Sequence, residues 1–205
     1  MPKQVDHQER RETIARALWR AVDRQGATHL TMRDVAQEAG ISLGQLQHYF
    51  RSRAAMLSFA VDFAGEQTAL RVGRALAELP QPPHPRQVLR VMLAELLPLH
   101  PDARAQSRMS TAYVLEALHD EELHARARAG VLQGRAMAEQ VVRQAITDGH
   151  IRPDRDPVLE TNLLLALTGF TTLLELDAVT PAAALEAVDR HLDRLFETGD
   201  GPSGD

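Results

Sequence analysis

The stretch LTMRDVAQEAGISLGQLQHYFRSRAAML, residues 30–57, decides the fold. Thr31-Met-Arg-Asp34 reads as a capping box: the N-cap hydroxyl and the acceptor three residues on each satisfy a backbone N–H that a new helix leaves exposed. Val35 and Ala39 fall on one side of that helix, and Gly40 supplies the left-handed residue that ends it after about two turns. Ser42-Leu-Gly-Gln45 is a second box. The helix it opens carries Leu46 and Phe50 on one face, and Ser52 is placed to cap a longer helix from about Arg53. Upstream, Ile14, Leu18 and Val22, with Ala15 and Trp19 beside them, lay a buried stripe along a helix from Glu9 to Gln25 that Gly26 closes. Two short capped helices separated by Ala39-Gly40-Ile41, with a supporting helix in front, form the helix-turn-helix arrangement whose second short helix enters the major groove of DNA.

Leu46 and Phe50 are required for the core, so Leu43, Gly44, Gln45, Gln47, His48 and Tyr49 remain on the outside, and amide side chains can read base edges. Gly44 lets the backbone come close, and the helix start at Ser42 favours phosphate oxygens. The competing reading is a three-helix packing unit with a merely polar outer face.

Over Leu30–Leu57 the string resembles the DNA-binding signature of the TetR family of one-component bacterial regulators. Ile41, Ser42, Leu46, His48, Tyr49 and Phe50 fit its recognition-helix pattern of aliphatic, Ser/Thr, three residues, Leu-Tyr-x-(Tyr/His)-Phe. Gln47 departs from it, standing where a phosphate-contacting Tyr is common. The resemblance implies that Thr31 and Met32 lie at a backbone-contacting helix start and that Arg33 reads a base. It also implies that Leu43, Gln45 and His48 face bases and that Tyr49 and Arg53 touch phosphate. SLGQLQHYF resembles most the subgroup that includes choline-responsive repressors. A quaternary ammonium needs an aromatic cage, and after Arg53 the aromatic residues are Phe59, Phe63, Tyr113, Phe170 and Phe196.

The remainder of the 205 residues is read as long helices: Ala54–Leu79, Arg86–Leu97, Ala103–His119, Glu122–Thr147, Pro157–Leu176 and Pro181–Glu197. Pro80, Pro82, Pro83, Pro85, Pro98 and Pro101 punctuate them, and Thr180-Pro181 is an N-cap followed by Pro at the first helical position. With 4% aromatic residues and abundant Ala, Leu, Arg and Glu, the composition agrees with an all-α chain. The expected division is a helix-turn-helix domain over 1–53, a helical body over 54–198, which the family resemblance implies is a six-helix ligand-binding and dimerisation bundle, and a disordered tail over 199–205.

A net charge of −5 argues against a nucleic-acid partner until it is divided. Residues 1–53 hold nine basic and six acidic side chains, leaving the rest of the chain at −8, so the basic segment is the one suited to a polyanion. A two-fold dimer presents that segment twice, to a palindromic operator. Having no cysteine, the chain cannot form disulfides, Fe–S clusters, Cys-ligated zinc or thiol nucleophiles. MPKQVDHQERRE is too polar for a signal peptide, and the uncharged run Thr161–Leu174 is 14 residues, short of the roughly 20 a spanning helix needs. A cytoplasmic protein is expected, with no cofactor, no metal and no membrane partner.

In the last two helices, Leu159, Leu163, Ala166, Phe170 and Leu174, and then Leu185, Val188, Leu192 and Leu195, form stripes that suit either ordinary core packing or an interface; the family resemblance implies the latter, a four-helix homodimer bundle with Gly169 allowing close approach. RMSTAYVLEALHD, residues 108–120, is apolar on nearly every face, so it is expected to run through the middle of the body. Its Glu116 needs a partner, either Arg135 or Arg143 on the neighbouring helix or a cationic or hydroxyl-bearing ligand beside Tyr113. Phe59, Phe63, Met92, Leu96, Met109, Met137, Val141 and Phe170 complete the expected ligand set. Ligand binding would tilt the helix that starts at Arg53 and lower DNA affinity, with a reciprocal coupling of about 1–3 kcal/mol. The competing enzyme reading is a helical-bundle metal site built from Glu116, His119, Glu121 and His124, whose Glu-x-x-His spacings match di-iron ligands. A structural adaptor is a third reading and predicts no sequence-specific DNA binding.

Overall fold

The polypeptide is described here by a computed structural model over residues 2–26 and 30–197, and no strand occurs among the described residues. The helices are α1 (Pro2–Gln25), α2 (Met32–Glu38), α3 (Leu43–Tyr49), α4 (Arg53–Ala77), α5 (Pro85–Leu96), α6 (Pro101–Ala117), α7 (Glu121–Thr147), α8 (Pro157–Ala166), α9 (Phe170–Glu175) and α10 (Pro181–Phe196). α1 begins well before Glu9: its early turns are polar, and an apolar stripe marks only the part of a helix that is buried. The expected helix Pro157–Leu176 is interrupted by a 3-10 turn at Leu167–Gly169, which separates α8 from α9. Taken together, Pro157–Glu175 is long and apolar enough to span a bilayer by length and composition, at mean hydropathy 1.3. It carries Glu160, however, buried and held by Arg155 at 3.0 Å.

Packing divides the chain into two compact units, one comprising residues up to Leu70 with His100–Arg128, the other Arg71–Leu99 with residues from Ala129 onward. These units cut the chain differently from the motif-based division at residue 53, because α6 packs on α1. In the first unit Ile14, Leu18 and Val22 of α1, Val35 of α2, Leu46 of α3 and Phe50 at its C-cap, Met56, Leu57 and Phe63 of α4, and Met109 and Tyr113 of α6 share one core. In the second, Leu89 and Leu93 of α5, Val142 and Ala145 of α7, Ile151, Leu164, Leu174, and Val188, Leu192 and Leu195 of α10 form another. Arg90 grips Asp189 with Nε at 2.7 Å and Nη2 at 3.2 Å, and Arg86 reaches Asp193 at 2.8 Å, clamping α5 to α10.

Two expectations change. α6 buries Met109, Ala112, Tyr113 and Ala117 on one face but leaves Val114, Leu115 and Leu118 exposed, so it is not enclosed all round. The α10 stripe of Val188, Leu192 and Leu195 is consumed by its own unit's core, as is Leu174. A seven-residue period reports that a face is covered, not by which partner. On α8 and α9 the large apolar side chains that stay exposed are Val158, Leu159 (54%), Leu163 (44%) and Leu173, followed by Leu176 (72%) at the C-cap of α9. The tail over 199–205 lies outside the described residues.

Candidate nucleic-acid interface

α2 and α3 have seven residues each, below the roughly 12–15 at which an isolated helix is even marginal in water, so caps and core contacts must hold them. Both capping boxes close. Thr31 N donates to Asp34 Oδ2 at 2.8 Å while Asp34 N donates to Thr31 Oγ1 at 3.3 Å, and the Thr31 hydroxyl and backbone hold the Asp34 carboxyl below its ordinary range. Ser42 N donates to Gln45 Oε1 at 2.9 Å and Gln45 N to Ser42 Oγ at 3.2 Å. Each such cap contributes about 0.5–2 kcal/mol. Gly40, at φ +67°, makes the left-handed turn between the two helices that a Cβ would strain.

Leu46 and Phe50 are buried at 0% and 2% exposure, which fixes the rotation of α3 and turns Gly44, Gln45, Gln47 and His48 outward. A Cβ added at Gly44 would meet nothing closer than Ser42 Oγ at 4.0 Å, so the protein itself leaves that surface open. Ser42, Thr31 and Arg33 are exposed, whereas Leu43 and Met32 are half-buried. Tyr49 is half-buried against the core, and its ring lies 5.4 Å from His48 and 4.8 Å from His7 of α1. His7 escaped the sequence reading because nothing local marks a polar residue in a polar turn.

Arg53 behaves differently from a solvated surface cation. Its Nε donates to Leu30 O at 3.3 Å and its Nη1 to Glu116 Oε2, bridging the loop before α2, the start of α4, and α6. Glu116 therefore pairs with Arg53 rather than with Arg135 or Arg143, both of which bind Glu139. Sixty-three positions separate the partners, so helical phase alone could not find the contact. Arg20 and Arg24 both bind Glu38, tying α1 to α2 and neutralising part of the basic segment.

The expected ligand residues are shared between the units. Phe59, Phe63, Met109, Tyr113 and Glu116 lie in the first, where Met109 and Tyr113 are core and Tyr113 Oη donates to Leu123 O at 3.5 Å. The Arg11 guanidinium sits 4.1 Å from the Phe59 ring centre, Arg16 sits 4.9 Å from that of Phe63, and Trp19 stacks on Phe63 at 5.2 Å. Met92, Leu96, Met137, Val141 and Phe170 lie in the second unit; Leu96 and Met137 are exposed, the other three half-buried.

The metal-site spacings fall on different helices: Glu116 ends α6, His119 sits in the junction, and Glu121 and His124 open α7. Asp120 Oδ1 caps that opening by accepting from Leu123 N at 2.9 Å. With Glu116 bound to Arg53, no group of three or more potential ligands that could hold a metal ion occurs among the described residues.

Two family descriptions match the chain: "Bacterial regulatory proteins, tetR family" over residues 14–58, and "BetI-type transcriptional repressor, C-terminal" over 85–197. The HTH-type transcriptional regulator PksA of Bacillus subtilis is 27% identical over 196 residues, covering 95% of this chain and 88% of that protein. Among solved structures, a TetR regulator from Haloarcula marismortui superposes with a TM-score of 0.77 at 22% identity, covering 93% of this chain and 100% of that one. A transcriptional regulator from Saccharomonospora viridis, solved in complex with choline, gives 0.74 at 20% identity over 94% and 97%.

Proposed function

The chain belongs to the TetR family of transcriptional regulators, which are not enzymes, and from that premise we propose a ligand-responsive repressor that binds a palindromic operator as a homodimer in the cytoplasm. One observation carries the reading. The core anchors Leu46 and Phe50 turn Gly44, Gln45, Gln47 and His48 of α3 outward as a polar face with an open glycine beside it. Such a face suits base edges in the major groove, with Arg33 at the start of α2 alongside. Thr31, Met32, Ser42, Leu43 and Tyr49 complete the proposed DNA contact set, with Arg53, held by Leu30 O and Glu116, proposed as a brace beneath it.

The dimer is proposed through α8–α9 and α10, supported by the exposed apolar run Leu159, Leu163, Ala166, Leu173 and Leu176. The effector is proposed as a small, largely apolar or cationic molecule. Arg11 and Arg16 already occupy faces of Phe59 and Phe63, so those rings are poorly disposed to cage an ammonium; the second unit's Met92, Leu96, Met137, Val141 and Phe170 better support apolar contact.

The test is selection of bound duplexes from a random pool by the full chain, followed by titration of the selected site. A two-fold symmetric site bound at least about 1,000-fold more tightly than random DNA is expected. Equal affinity for selected and random DNA would refute the proposal and favour the adaptor reading.

A further inference from the structure

The side chain placed to read a base on α3 is also part of the helix start. Gln45 Oε1 accepts from Ser42 N at 2.9 Å, and because only the oxygen of an amide can accept from an N–H, the chemistry fixes which end of the group faces the backbone. The same residue's own N–H is held by Ser42 Oγ at 3.2 Å, so the box is closed from both sides before any partner arrives. What Gln45, an exposed residue, then offers outward is its NH2 group, two donors. Glutamine ordinarily recognises adenine by presenting oxygen and nitrogen abreast, the oxygen to N6–H and the nitrogen to N7. With the oxygen drawn against residue 42, that edge is not presented.

Resting on the regulator reading above, we infer that Gln45 reads its operator position as a donor only, selecting a base that shows acceptors alone in the major groove: guanine first, through O6 and N7, and thymine O4 second. Cytosine, which shows an amino donor there, and adenine, whose N6 amino group would meet the Gln45 amino group, are rejected. The structural role and the recognition role are thereby coupled: the hydrogen bond that starts the helix sets the polarity of the reader.

The experiment compares wild-type full-length protein with Gln45→Glu in selection from a random duplex pool. Glutamate also closes a capping box, so the variant keeps the helix start while replacing the outward donors by an acceptor. Circular dichroism and a melting curve check that it folds, and Gln45→Ala locates the same position independently by loss of preference. At the position where the proteins differ, guanine or thymine is expected for the wild type and cytosine for Gln45→Glu. Where guanine is selected, 7-deazaguanine, which lacks N7, should weaken wild-type binding about tenfold, and inosine, which keeps O6 and N7, should leave it unchanged. Adenine or cytosine selected by the wild type at that position, or no position at which either variant differs, overturns the inference while leaving the regulator reading standing. A pool with no enriched sequence overturns both.

Discussion

If Arg53 is a brace rather than a phosphate contact, its removal should register in folding and not in the ionic-strength dependence of DNA binding. The guanidinium and the Glu116 carboxylate are 30% and 37% exposed, so solvent screens their attraction, and the pairwise coupling should be in the range of exposed pairs, about 0.2–1 kcal/mol. Arg53→Ala also deletes the bond to Leu30 O, worth about another 1 kcal/mol, for a total of about 1–2 kcal/mol. Glu116→Gln should cost less than 1 kcal/mol, and the double variant should recover the coupling in a denaturant-unfolding cycle. A paired arginine brings no net charge to a phosphate. Arg53→Ala should therefore leave the slope of log affinity against log salt unchanged, whereas Glu116→Gln, by unmasking a cation, should steepen it by up to about 0.9 per protomer. A slope that falls by about that amount in Arg53→Ala and does not move in Glu116→Gln would refute the reasoning and return Arg53 to the DNA backbone.

Gly44→Ala should stabilise α3 by about 0.5–1 kcal/mol while weakening operator binding, since the added methyl meets only open space in the protein but occupies the surface offered to DNA; thermal melting paired with titration separates the two effects. Leu163→Glu should give a monomer in light scattering and lower operator affinity at least tenfold, whereas an unchanged dimer would place the interface elsewhere. Burial, then the neighbouring His150 and Arg86, lowers the affinity of His84 for a proton below its ordinary value of 6.5. Its Nδ1 accepts from Arg86 N at 3.2 Å to cap α5, so protonation also removes the cap. The unfolded chain binds that proton more readily, so stability should be full above about pH 6.5 and fall on acidification toward the folded-state value; His84→Asn, which keeps a cap acceptor but does not titrate, should flatten the profile.

Local chemistry made the helix-turn-helix legible. The boxes at Thr31–Asp34 and Ser42–Gln45 and the turn at Gly40 each depend on residues within four positions of one another, and all three form as their spacing predicts. What the sequence concealed is long-range. The partner of Glu116 lies 63 residues away, and the stripe through Val188, Leu192 and Leu195 has the same period whether its own unit or a second chain covers it. Arg11 and Arg16 over phenylalanine rings were equally invisible, because which aromatic face a cation covers depends on how helices cross.

The reciprocal capping of α3 also bears on how new operators are acquired. Folding of this helix rests on Ser42, on the backbone and on buried Leu46, none of which needs a particular outward side chain. Gln47, exposed on α3, can therefore change with little consequence for the scaffold, which on the proposed reading gives a lineage a supply of altered specificities at nearly constant stability. Gln45 is the exception. If it faces the groove as proposed while holding the helix start, it resists drift, and glutamate is the substitution that best keeps the cap while rewriting what is read.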